Sequence, residues 1–312
     1  MKTTKTLIRT LVTATIAGGF AMYVNAQNLN GTLNSGFYGS PLAVQTINTG
    51  FGDAAGGNDS VGGSELDAAY GQISGGDLYL FLAGNIENNG NHLNVFVSGG
   101  APGQSTLNAP ATATLQTMNG SVFSPGFQAT WAFDMNDYQG TLYNEEYIYA
   151  GPGALAGGYV GAVGETSTGV GAGLPSGGGY PAYTYLALNN NHASTMGASG
   201  TAANFAAMLS TTTGLELQIP LSVLGWTGGN IEVLADINGG GDSYLSNQFL
   251  PGLAVGTGNL GGGGPYTGLS AGTFNFANDP GEYFTVTVPE PSTLALFGLS
   301  GLMTLRVLRR RK

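Results

Sequence analysis

The run Asp236-Ile237-Asn238-Gly239-Gly240-Gly241-Asp242 places side-chain oxygens at its first, third and seventh positions. Carboxylate and amide oxygens at such intervals suit a hard divalent cation, and the glycines between them let the backbone bend around an ion. Asp236, Asn238 and Asp242 are therefore candidate Ca2+ ligands. The run lacks the downstream bidentate glutamate of an EF-hand loop, so the plainer expectation is a Gly-rich hairpin turn whose acids face water. Asp53, Asn58, Asp59, Glu65 and Asp67 form a second, looser oxygen set. Trp226 follows Gly225 in a turn before Gly228-Gly229 and could offer its ring to a sugar, whereas Trp131 lies in a strand-like run and reads as core.

Other chemistries find little purchase. The two histidines, His92 and His192, flank or occupy Asn-rich turns and read as surface residues. With no cysteine and no His-Glu-x-x-His they make a poor zinc site. Glu145-Glu146 suggests a glycosidase pair, but neighbours on a strand point to opposite faces and cannot flank one bond. Gly151-Pro152-Gly153-Ala154 loosely fits a dinucleotide loop, yet no amphipathic helix follows it. No enzymatic activity and no organic cofactor are expected; Ca2+ is the one ion the sequence leaves room for.

Charge sharpens the exclusions. All 8 Lys and Arg lie in residues 2–9 and 306–312, and all 18 Asp and Glu lie between Thr10 and Leu305. The intervening body has no Lys for a Schiff base and no Arg to fork onto a phosphate or carboxylate. Binding nucleic acid by neutralising phosphates is excluded on charge alone.

The elements that must position these residues read as strands. Leu78 to Gly84 is an apolar run of strand length, and Leu93 to Val97 follows it after Asn88-Asn89-Gly90-Asn91, a hairpin signal. Further strands are expected at Pro41–Ile47, Gln128–Phe133, Glu146–Ala150, Tyr183–Leu188 and Tyr283–Val288. Leu215-Glu216-Leu217-Gln218-Ile219 alternates, and Ile231, Val233, Ala235 and Ile237 share one face. Helix is confined to Ala202–Leu209, capped by Thr201, and one turn at Pro220–Leu224. The expected fold is all-β: an antiparallel, jelly-roll-like β-sandwich with Gly- and Asn-rich loops. A body of about 260 residues can bury one core without disulfides.

The two ends carry addresses. Lys2, Lys5 and Arg9 precede the apolar Leu11–Met22, and Val24-Asn25-Ala26 fits a signal-peptidase site with cleavage after Ala26. An uncleaved anchor is the alternative. At the other end stand Pro289-Glu290-Pro291, an apolar run from Leu294 to Leu308, and Arg309-Arg310-Arg311-Lys312. The run is about 15–17 residues against the usual ~20 of a transmembrane helix, with Arg306 able to snorkel. This tail resembles the PEP-CTERM sorting signal of Gram-negative, exopolysaccharide-producing bacteria; an ordinary C-terminal anchor is the alternative. The resemblance implies export, transient residence in the inner membrane, and processing near the Pro-Glu-Pro by an exosortase. It divides the chain into a leader (1–26), an exported body (27–288) and a sorting tail with its transmembrane helix (289–312).

The body itself is similar in segment order to family 9 carbohydrate-binding modules and DOMON-type sandwiches. Ser64-Glu65-Leu66-Asp67-Ala68-Ala69-Tyr70, Asp77-Leu78-Tyr79-Leu80, Leu215 to Leu221 and Ile231 to Asp242 carry that similarity. The expectation is a non-enzymatic envelope or matrix protein associated with exopolysaccharide, or alternatively a carbohydrate-binding module; a glycan-active hydrolase ranks third.

Overall fold

Residues 27–51, 63–149, 156–166, 169–191, 199–261, 275–276 and 283–288 are described by the computed structural model. Ala26, the tail residues Pro289, Glu290, Pro291, Arg309, Arg310 and Arg311, and Asp53, Asn58, Asp59 and His192 lie outside them. The expected leader and transmembrane helix fall there too. Among the described residues, no helix is long and apolar enough to cross a membrane.

The alternating segments become two antiparallel sheets. The smaller contains β1 (Ala43–Val44), β2 (Glu65–Ser74), β3 (Asp77–Asn85), β8 (Val170–Gly173), β10 (Tyr185–Asn189) and β11 (Gly214–Pro220), ordered β1-β2-β3-β11-β10-β8. The larger contains β4 (Asn89–Ser98), β5 (Trp131–Tyr138), β6 (Thr141–Ile148), β7 (Ala156–Gly164), β9 (Ser176–Gly177), β12 (Ile231–Asn238), β13 (Leu245–Leu250) and β14 (Phe284–Val286). Its order is β13-β12-β4-β5-β6-β7-β9, with β14 also pairing β12.

One core lies between the sheets. Leu215, Leu217 and Ile219 of β11 and Leu78, Leu80 and Leu82 of β3 meet Leu93, Val95 and Val97 of β4 and Trp131, Phe133 and Met135 of β5. The face shared by Ile231, Val233, Ala235 and Ile237 joins it. Each fully buried Leu or Phe contributes about 1.5–3 kcal/mol. A second core covers the outer face of the larger sheet, where Phe96, Leu234, Ala132 and Tyr147 pack against Leu115, Met118, Phe123, Phe249 and Phe276. Leu115 and Met118 belong to a 3-10 turn, Thr114–Met118. The part of the larger sheet around β12, β4 and β5 is thus covered on both faces, and this lets polar side chains on its outer face be enclosed.

Several expectations need correction. β3 and β4 are not a hairpin: β3 pairs with β2 and β11, and β4 pairs with β5 and β12. The connection after Asn85 crosses from one sheet to the other. Asn190, just past β10, holds it by accepting from Ile86 N at 3.1 Å and donating to Ile86 O at 2.9 Å and to Asp137 Oδ2 of β5 at 3.0 Å. The helix Phe205–Ser210 is capped by Asn204, whose side chain accepts from Ala206 N and Ala207 N, and not by Thr201. Leu221 to Gly225 is a turn and not a helical one.

Candidate functional site

Strand register lines up three rows across the outer face of β12, β4, β5 and β6. Leu234, Phe96, Ala132 and Tyr147 form an apolar row. Beside it runs Asp236, Asn94, Asp134 and Glu145, and beside that Asn238, His92, Asn136 and Tyr143. The turn Gly240–Asp242 then folds Asp242 over the middle of these rows. Asp242 adopts a left-handed φ of 51°, a conformation Asp tolerates better than most side chains, and its carboxylate is buried. Asn94 Nδ2 donates to Asp242 Oδ1 at 2.7 Å and Asn238 Nδ2 donates to the same oxygen at 2.9 Å.

The expectation that Asp236 and Asp242 are solvated acids of a hairpin turn is therefore overturned. Asp236, Asn238 and Asp242 are all buried, as are Asn94, His92 and Asp134. His92 is likewise not a surface residue. Its Nδ1 lies 2.7 Å from Asp134 Oδ1 and 3.8 Å from Asp242 Oδ2. Asn136 Nδ2 lies 2.8 Å from His92 Nε2 and donates to Gly90 O at 2.9 Å. With that amide donating to Nε2, the proton of a neutral imidazole sits on Nδ1 and faces Asp134. Ligand atoms of His92, Asp134 and Asp242 all lie within 4.8 Å of one another.

Electrostatics reflect the enclosure. Burial pushes the His92 pKa down, but the charges of Asp134 and Asp242 and the hydrogen bond to Asp134 outweigh it and lift the pKa to about 9. Burial raises Asp134 to about 7 against the lowering effect of His92. Burial, then the charge of Asp242, holds Asp236 well above the ordinary carboxylate range. Low polarity penalises the charged forms of Asp134 and Asp236.

Sequence reasoning found Asp236, Asn238 and Asp242 because they share one turn. It missed His92, Asn94 and Asp134, which register brings in from other strands. The signal available was alternation: polar residues recur at every second position of β4 and β5 between core residues. Glu65 and Asp67 are buried on β2. Trp226 is half-buried against the inter-sheet core, and its Nε1 donates to Gly229 O at 2.9 Å. The neighbours Glu145 and Glu146 do face opposite ways. Glu145 accepts from Thr114 N at 3.0 Å on the outer face, and Glu146 accepts from Thr184 N at 2.9 Å on the inner one.

A different surface gathers aromatic rings. Tyr180, Pro181 and Tyr183 line a shallow pocket with Glu146, Ile148 and Gly157. Tyr180 and Tyr183 are exposed there, Tyr185 is exposed on β10, and Tyr138, Tyr143 and Tyr159 are exposed on β5, β6 and β7. The spacing Gly-x-Ser-x-Gly of a nucleophile elbow also occurs, at Gly268-Leu269-Ser270-Ala271-Gly272, outside the described residues. The one described histidine, His92, is buried and already hydrogen-bonded.

Residues 287–312 match the PEP-CTERM protein-sorting motif. The match begins at Thr287, one residue after β14 ends at Val286. That motif marks the chain for export to the envelope or surface of a Gram-negative bacterium, with an exosortase as its processing partner. No curated protein and no solved structure matches the chain at a significant level.

Proposed function

We propose that the chain is a non-enzymatic envelope or extracellular-matrix protein, delivered by its sorting tail and associated with exopolysaccharide. In this reading residues 1–26 are a leader removed after Ala26, and 27–288 form the exported body. Residues 289–312 cross the inner membrane until an exosortase acts on them. The sorting motif at 287–312 is the observation that carries the proposal. The body's composition supports it: an acidic domain without Lys or Arg is repelled by anionic lipid and nucleic acid and stays soluble outside the cell. Replacing Pro289, Glu290 and Pro291 together with alanine should trap the full-length chain in the inner membrane, measured by fractionation and immunoblotting. Release of a shortened variant at the normal rate would remove the sorting claim.

The exposed tyrosines favour a second reading, a carbohydrate-binding body. Aromatic faces stack on pyranose rings, and Tyr180 and Tyr183 stand beside a pocket with the Glu146 carboxylate in its wall. A glycan array separates the two readings. Sugar binding lost in Tyr180→Ala and Tyr183→Ala favours this one, and an empty array favours a purely structural role.

A further inference from the structure

Three carboxylates, Asp134, Asp236 and Asp242, share one enclosed layer on the outer face of the larger sheet. Among the described residues, the one side chain beside them able to carry a positive charge is His92. Several buried oxygens there lack a well-formed hydrogen bond: Oδ2 of Asp242, Oδ1 of Asn94 and of Asn238, and both of Asp236, which is approached by the Asn94 and Asn238 amides that already donate to Asp242. An unsatisfied buried acceptor costs about 1–3 kcal/mol, and more when charged, so a set of them in one place is hard to explain by packing alone.

We propose that this layer is a structural Ca2+ site, ligated by carboxylate oxygens of Asp134, Asp236 and Asp242 and by amide oxygens of Asn94 and Asn238. The inference is independent of the sorting and sugar readings above.

Geometry supports an ion of this size. Ligand oxygens about 2.4 Å from a Ca2+ ion stand at most ~4.8 Å apart. Atoms of Asp134 and Asp242 meet that limit together with a His92 nitrogen, whereas Asp236 stands outside that group and reaches a shared ion only by a shift of its side chain. Asp236 and Asp134 flank Asn94 in one cross-strand row, and the Asn94 amide donates to Asp242, so the three acids surround that one side chain. A half-turn of each amide about its last torsion presents Oδ1 in place of Nδ2.

The donor set selects the metal. The proposed ligands are all oxygens, and both His92 nitrogens already have partners in Asp134 and Asn136. A hard, oxygen-only set suits Ca2+ and disfavours Zn2+, which prefers nitrogen and sulfur. Mg2+ holds a rigid octahedron and keeps its waters, which a closed layer does not accommodate. The ion would tie three strands to the turn Gly240–Asp242. That turn is itself joined to the covering turn Thr114–Met118 through Thr117 Oγ1, which donates to Gly241 O at 3.0 Å.

The test uses the full-length chain purified in detergent, stripped with EDTA and titrated with CaCl2, MgCl2, MnCl2 or ZnCl2. Bound metal is counted by atomic emission after desalting, and stability is followed by melting. The expected result is one Ca2+ per chain and a melting temperature raised by about 5–10 °C at a hundredfold excess over Kd. Asp236→Asn and Asp242→Asn should each abolish the bound ion, and Asp77→Asn should leave it. Stripped Asp236→Asn should melt no lower than the stripped parent, because it removes a carboxylate that lacks a counter-charge. That second reading keeps loss of binding distinct from loss of folding. A parent chain that binds no Ca2+ and melts unchanged would overturn the proposal, as would Ca2+ binding that survives both substitutions. Tight binding of Zn2+ without Ca2+ would overturn it equally, by making His92 a ligand.

Discussion

Glu145 and Glu146 differ by one position and meet different surroundings. Glu145 is held on the outer face by Thr114 and Tyr147. Glu146 points into the space between the sheets, where backbone N–H groups of Tyr183 and Thr184 donate to it and join β6 to the lead-in of β10. Burial raises the Glu146 pKa despite those bonds. Between the ordinary carboxylate range and that raised value, the folded chain keeps a proton that the unfolded chain has released. This group's contribution therefore favours folding most at low pH and declines as pH rises through that window. Glu146→Gln keeps an acceptor for Thr184 and has no charge to bury. Its melting temperature should match the parent at pH 4 and exceed it at pH 8; a constant difference at both pH values would show that burial of the charge is not the cause. Sequence could supply the opposite facing of the pair, which follows from strand geometry alone. It could not supply the partners, because Thr114 and Thr184 lie 31 and 38 residues away.

Among elements, legibility tracked local pattern. β11 and β12 were readable because alternating residues reach one shared core, and β3 because an apolar run of that length fits a strand covered on both faces. Glu216, a polar position in the alternating β11, does leave the inter-sheet core, but it is buried all the same. It accepts from Gln27 Nε2 at 2.8 Å, Asn30 N at 2.9 Å, Gly31 N at 3.2 Å and Tyr38 Oη at 2.9 Å, docking the first described segment on the smaller sheet. Glu216→Ala leaves those donors without their acceptor and should cost about 2–4 kcal/mol in urea unfolding. Faster amide exchange confined to Asn30 and Gly31 would locate the damage; unchanged exchange there would contradict the docking role. β7 was not legible. Its glycines resemble loop, yet Gly157 has φ 140° and a Cβ there would stand 2.0 Å from Glu146 O, so the strand pairs closely only because side chains are absent. The crossover after β3 was misread for a related reason. Its asparagines suit a tight turn, and only Asn190, a hundred residues downstream, shows that they bridge two sheets.

At the scale of the whole molecule, charge separates body from ends. Denatured full-length chain should lose only its termini to trypsin, leaving Thr10–Arg306 as one fragment, because no Lys or Arg lies between. Chymotrypsin, with 15 Tyr, 14 Phe and 2 Trp to cut after, should fragment the same denatured chain and be slowed by folding. Discrete internal tryptic fragments would contradict the charge distribution. The buried cluster follows from the same composition. A body without Lys or Arg has no long cation to neutralise acids that register brings together, and neither the register nor the covering turn can be read from one strand at a time.

β14 sets the remaining relation between body and tail. Phe284, Thr285 and Val286 are hydrogen-bonded in register to Val233, Glu232 and Ile231, and Val288 still packs against the inter-sheet core. Pro289 is the next residue. From Val286 to Pro289 the backbone can stretch only ~10 Å, so the tether has almost no slack. Whatever reaches the Pro-Glu-Pro must either work within that distance of the sheet edge or meet a chain whose last strand has come away from β12.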